Sequence, residues 1–200
     1  EFTPTDRTRA NHIVNRVLAL DPATAARLLA ETLEHFQGRH RDLLANFEAR
    51  AAQMEAAFLA HAAFTTEQRL LIGAYFLHEY SFEAVALFNP SIVAHPDQSG
   101  VPGGARRFIL SLRAVGEGHI SSLTFRTGLI FADGNVTVDA PASLAAIGHP
   151  RQHPLPGVAP ECIDVAFEAD RDISERVIFP ITEAQSNGIE DARFVAFNAD

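Results

Sequence analysis

Apolar positions up to residue 80 recur at three- and four-residue spacing, the pattern of helices that bury one face. Asp21-Pro22 predicts a helix start, with Asp as the N-cap and Pro at the first helical position. Ala25, Leu28, Leu29, Thr32, Leu33 and Phe36 then fall on one face, and Gly38 closes that helix. A second stripe runs through Leu43, Leu44, Phe47, Ala51, Met54, Ala57 and Phe58. Thr65-Thr66-Glu67-Gln68 has the T-x-x-Q form of a capping box and opens a short helix through Leu70, Leu71, Ala74, Tyr75 and Leu77. An earlier helix is predicted from Thr8 to Leu20. These stripes read as packing faces, and no heptad pattern persists far enough for a long coiled coil.

After Tyr80 the period changes from helical to alternating. Ser91 to Ala94 is a predicted short strand behind Asn89-Pro90. From Phe108 to Val115, Phe108, Leu110, Leu112 and Ala114 alternate with Ile109, Ser111 and Arg113. Ser122 to Ile130 alternates too, Asp133-Gly134 is a hairpin signal, and Val136 to Val138 is the return strand. Four strands joined in this way predict an antiparallel meander, the unit of a β-propeller blade. A second set is expected to begin at Ile163–Phe167 and to continue at Arg193–Phe197. Residues 141–160, rich in Pro, Gly and His, read as a connector. Their His149-Pro150-Arg151-Gln152-His153 run has no metal-ligand spacing. The fold expected is α+β by content: a helical N-terminal extension over 1–80, then the first blades of a propeller over 81–200. A strand so near the last residue leads us to expect that the natural polypeptide continues.

Composition narrows the chemistry. Of 200 residues, 47% are hydrophobic and 20% charged, which suits a packed globular chain. The net charge of −9 disfavours nucleic acid as a partner. No apolar run is long enough to predict a membrane span. Cys162 is the single cysteine, so no disulfide can form within the chain, and it reads as a small core side chain. With no secretory signal in the first residues, this leads us to expect a cytoplasmic protein. Every basic residue is Arg, which removes Schiff-base and P-loop lysine chemistry. No G-x-S-x-G occurs, so no serine-hydrolase elbow is present.

Three segments carry a resemblance: Glu83-Ala84-Val85-Ala86-Leu87-Phe88-Asn89-Pro90-Ser91-Ile92-Val93, Phe108 to Ser122, and Ser186-Asn187-Gly188-Ile189-Glu190-Asp191-Ala192-Arg193-Phe194. Together they resemble the early blades of glycoside hydrolase family 130, whose members cleave or phosphorolyse β-mannosides at the central channel of a five-bladed propeller. The family usually reads E-D-P-R where this chain reads Glu190-Asp191-Ala192-Arg193. The resemblance implies that Asp191 is the proton donor. It implies that Arg113, from a strand otherwise rich in apolar residues, binds the sugar beside the cleaved bond, and that Asn89 contacts sugar hydroxyls. Asn187 and Arg126 join them as further substrate-binding candidates.

The chemistry needs such a group, because a glycosidic oxygen leaves poorly unless it is protonated. Adjacent residues on a strand point to opposite faces, so only one of Glu190 and Asp191 is expected to face the channel, and the resemblance favours Asp191. The resemblance further implies inversion, a β-mannoside oligosaccharide as substrate, and no metal or organic cofactor. Inorganic phosphate would be a co-substrate if the reaction is phosphorolysis. A second copy of the chain is a candidate partner. The alternative, from another class, is a non-catalytic carbohydrate-binding or assembly module whose helical part mediates oligomer contacts.

Overall fold

A computed structural model describes residues 7–58, 63–152, 163–182, 185 and 188–197. The protein is mixed α and β, with four helices and a six-stranded sheet among the described residues. It divides into two compact units, Glu1–Glu79 and Tyr80–Asp200.

The first unit holds α1 (Arg7–Leu18), α2 (Pro22–Phe36), α3 (Leu43–Phe58) and α4 (Thr66–Phe76). Asp21 caps α2: its carboxylate accepts from Thr24 N at 3.0 Å, and Pro22 sits where a free N–H would be unsatisfied. The capping box of α4 is complete. Thr65 Oγ1 accepts from Gln68 N at 3.2 Å, and Gln68 Oε1 accepts from Thr65 N at 3.1 Å. The buried Gln68 amide also donates toward the carbonyls of Val17, Leu18 and Leu20, so one side chain serves two helix ends. Arg50 serves the far end of α4, where its Nε donates to Phe76 O at 2.8 Å.

The core of this unit joins Val14 and Val17 to Leu29, Phe47, Met54, Leu71, Ile72 and Phe76. Leu70 to Gly73 are buried in succession, so α4 is the central helix. Two expected inward residues lie outside: Leu44 and Tyr75 are exposed. Ile72, Gly73 and Phe76 take the inward arc of α4 and turn Tyr75 to solvent. Leu44 sits at the margin of a stripe centred on Phe47, Ala51 and Met54.

The second unit is built on β1 (Ala86–Ala94), β2 (Arg106–Val115), β3 (Ser121–Ile130) and β4 (Val136–Val138), each antiparallel to the next. The Asp133-Gly134 turn joins the last two; Gly134 takes φ 85°, a conformation open to glycine. After them in sequence come β5 (Ala146–Ile147), β6 (His149–Gln152), β7 (Ile163–Ala166) and β8 (Arg176–Ile178). The sheet order is β1-β2-β3-β8-β5, with β8 antiparallel to β3 and β5 parallel to β8.

The structure corrects three expectations. The stretch read as a connector over 141–160 contains β5 and β6, while residues 153–160 lie outside the described part. Ile163–Ala166 pairs with His149–Gln152 in a separate two-stranded sheet instead of opening a second blade. Arg193–Phe197 alternates like a strand but forms none: Phe194 N donates to the Ser91 hydroxyl at 2.8 Å, and the Phe194 ring stacks on Phe125. Its backbone is held by side chains on one sheet face, not by a ladder.

Candidate functional site

The site starts from the register of β1, β2 and β3. Phe88 pairs with Arg113, Ser91 with Ser111, and Arg113 with Leu123. Side chains alternate along a strand, so Phe88, Ser91, Ser111, Arg113, Ser121, Leu123 and Phe125 share one face. One residue lies between Ser111 and Arg113 but two lie between Phe88 and Ser91, so β1 carries one extra residue there. Asn89-Pro90 causes it. Pro90 has no N–H for a ladder, and β1 is an edge strand, where such a residue is tolerated. Asn89 takes φ 53°, a left-handed conformation that Asn accepts better than most side chains. Regular alternation would send Asn89 to the face opposite Phe88. The bulge turns it instead onto the Arg113 face, where its Nδ2 donates to Asp191 Oδ1 at 2.9 Å.

Residues 188–194 run across this face. Gly188, at φ 102°, lies so close to Ser121 that a Cβ there would sit 3.0 Å from the Ser121 Cβ. Ile189 is buried, and Ser111 Oγ reaches Ala192 O at 3.5 Å. These contacts bring three sequence-distant candidates together. Arg113 NH1 lies 3.8 Å from Asp191 Oδ1 and 2.9 Å from Glu190 Oε2. The rest of the Arg113 guanidinium is fixed: Nε and NH2 donate to Ser121 Oγ at 3.2 and 3.1 Å, and its centre lies 5.3 Å from the Phe88 ring centroid. Arg193 NH2 donates to Asp191 Oδ2 at 3.2 Å. The Asp191 side chain is 24% exposed and that of Glu190 85%, so the two adjacent carboxylates sit in different dielectric surroundings.

The idea that only one of Glu190 and Asp191 can face the site does not hold. That rule needs strand geometry, which residues 190 and 191 lack, and both reach the same guanidinium. Arg126 stands apart from the cluster. It is three positions from Leu123 and therefore on the other sheet face. There it is buried, with NH2 bonded to both carboxylate oxygens of Glu83 at 2.7 Å and NH1 to Phe125 O at 2.9 Å. Asn187 lies outside the described residues.

The sequence does not single out Arg193, and it leaves Ser121 evenly balanced between a sugar contact and an outward strand position. Ser121 could have been found from register, since it lies diagonal to Arg113 across β2 and β3. Arg193 carries no such signal, because residues 190–194 form no strand and alternation does not place it beside Asp191.

Beside the cluster, the turn between β2 and β3 holds Gly118 and His119 at φ 67° and 61°. Tyr80 Oη donates to Glu117 O there at 2.9 Å, and burial first, then the Glu117 charge, pushes the Tyr80 hydroxyl above its usual range. Among the described residues, no group of three or more His, Cys, Asp or Glu is placed to hold a metal ion. No described helix is long and apolar enough to cross a membrane. Comparison of the chain with protein-family models, with curated proteins and with solved structures finds no match.

Proposed function

We propose that the second unit belongs to a propeller that cleaves β-mannosides with inversion, in the manner of glycoside hydrolase family 130. Asp191 gives its proton to the leaving oxygen, Arg113 and Asn89 hold the mannosyl unit, and water or inorganic phosphate attacks from the opposite side. The observation that carries this reading is convergence. Asn89, Arg113 and Asp191 were each singled out by resemblance, and they meet within hydrogen-bonding and ion-pair distance on one sheet face. The β1 bulge turns Asn89 onto that face, and Ile189, two positions before Asp191, is buried.

Two features support the propeller. β1 to β4 form a sequential antiparallel meander, and Leu87, Ile92, Val136 and Val138 leave apolar side chains exposed, as a blade does before its neighbours stack on it. The single cysteine suits a reducing compartment, so the cytoplasm is the setting proposed.

One observation favours a second reading, a non-catalytic sugar-binding module. Both Asp191 oxygens accept hydrogen bonds, Oδ1 from Asn89 and Oδ2 from Arg193, so the carboxyl group is already engaged by the protein's own donors. The test is release of mannose and of mannose 1-phosphate from β-mannobioses by the natural polypeptide that carries this chain, with and without phosphate, beside Asp191→Asn. Phosphate-dependent mannose 1-phosphate marks a phosphorylase, and mannose formed regardless of phosphate marks a hydrolase. Asp191→Asn is expected to lower turnover by about a thousandfold or more. Unchanged release in that variant would remove Asp191 from the mechanism, and no release by the wild type would favour the binding module.

A further inference from the structure

Arg193 joins two features that the proposed reaction uses separately. Its NH1 donates to Pro90 O at 3.2 Å and lies 3.4 Å from Asn89 O, while its NH2 donates to Asp191 Oδ2 at 3.2 Å. The two carbonyls belong to the β1 bulge, where an extra residue interrupts the ladder, so they are available to a side-chain donor. The bulge is also what turns Asn89 onto Asp191. One planar guanidinium therefore sets the spacing between the bulge backbone and the Asp191 carboxylate.

We infer that Arg193 is a positioning residue that orients the Asp191 carboxyl group through the β1 bulge. This rests on the reading of Asp191 as the proton donor. The alternative is an ordinary surface ion pair, since the Arg193 side chain is 60% exposed, and such a pair contributes little to stability. The two differ in what a substitution changes. A surface pair affects nothing at the reacting bond. A positioning residue affects proton donation, and therefore matters most when the leaving group needs a proton. The fork is also specific to Arg: an ammonium restores the charge but cannot span carbonyl and carboxylate as a rigid plane.

The experiment compares wild type, Asp191→Asn, Arg193→Gln and Arg193→Lys of the natural polypeptide on β-mannobiose and on a dinitrophenyl β-mannoside, whose leaving group needs no proton. Melting temperatures are measured in parallel. Arg193→Gln is expected to lower kcat on mannobiose by about thirtyfold with KM within about threefold. On the aryl mannoside the same variant should stay within about threefold of wild type. Arg193→Lys should recover only part of the loss, and both variants should melt near the wild type.

Wild-type kcat on mannobiose in Arg193→Gln, an equal loss on both substrates, or full recovery in Arg193→Lys would each overturn the positioning role. The two readings fail differently. Full mannobiose turnover by Asp191→Asn removes the proton donor itself and the role of Arg193 with it. Asp191→Asn inactive beside a normal Arg193→Gln removes only the latter.

Discussion

Asn89 does two things that can be separated by substitution. Its backbone occupies φ 53°, and its side chain reaches Asp191. Glycine keeps the first at no steric cost and removes the second, whereas alanine loses both, at roughly 1 kcal/mol for the left-handed conformation. Asn89→Gly is therefore expected to unfold in urea close to the wild type but to turn over mannoside about tenfold more slowly. Asn89→Ala should add a measurable loss of stability, and equal midpoints for the two variants would show that the bulge is not held in this conformation.

A second residue-level expectation concerns acid. The Asp172 carboxylate accepts from Ser174 N at 2.8 Å and from Ser174 Oγ at 2.7 Å, and the backbone bond, then the hydroxyl bond, hold its pKa below the ordinary 3.8. A folded-state pKa lower than the unfolded one contributes stability above the unfolded value, lost as pH falls through the folded one. Urea unfolding of wild type and Asp172→Asn should therefore converge as pH drops below about 4, because the variant has no proton to take up. A difference independent of pH would assign the effect of Asp172 to packing.

At the scale of elements, the helices were legible because their signals are local. Asp21-Pro22 and the Thr65–Gln68 box need only neighbours in sequence, and both caps form. The β1–β4 meander was legible for the same reason, through alternation and an Asp-Gly turn. Arg193–Phe197 shows where such reasoning stops. It alternates, but Val195 and Phe197 are exposed and its backbone follows the Ser91 hydroxyl instead of a ladder. Pairing of β5 with β8 and of β6 with β7 was hidden too, because partner choice between short strands depends on the whole unit.

Contacts between elements also outweigh propensity. Gly73 lies in the middle of α4, where alanine would be favoured by about 1 kcal/mol. A Cβ at that position, however, would stand 1.9 Å from the Phe47 carbonyl oxygen of α3, a backbone atom that cannot rotate away. Gly73→Ala is expected to destabilise the protein by about 2–3 kcal/mol in a thermal or urea melt. A more stable Ala variant would mean that α3 and α4 do not approach so closely.

For the whole molecule, every side chain of the candidate cluster comes from one of the two compact units. Asn89, Arg113, Asp191 and Arg193 all belong to the sheet unit. The convergence of the first three was legible through resemblance, and their geometry was not. No property of the isolated sequence says that Asn89 is turned by a bulge, or that Glu190 shares Arg113 with Asp191. Arg126, a weaker candidate than Arg113 in sequence, lies on the other strand face, where Glu83 neutralises it.

Sugar binding in the absence of turnover tests the central claim, that this face holds a mannoside, most directly. Calorimetric titration of β-mannobiose into the Asp191→Asn protein, and into the same protein with Arg113→Ala added, isolates it. We expect the single variant to bind and the double variant to bind at least tenfold more weakly, since a cluster held by Ser121 and Phe88 loses its principal hydrogen-bond donor. Equal affinity in the two proteins would place any sugar elsewhere and contradict the site.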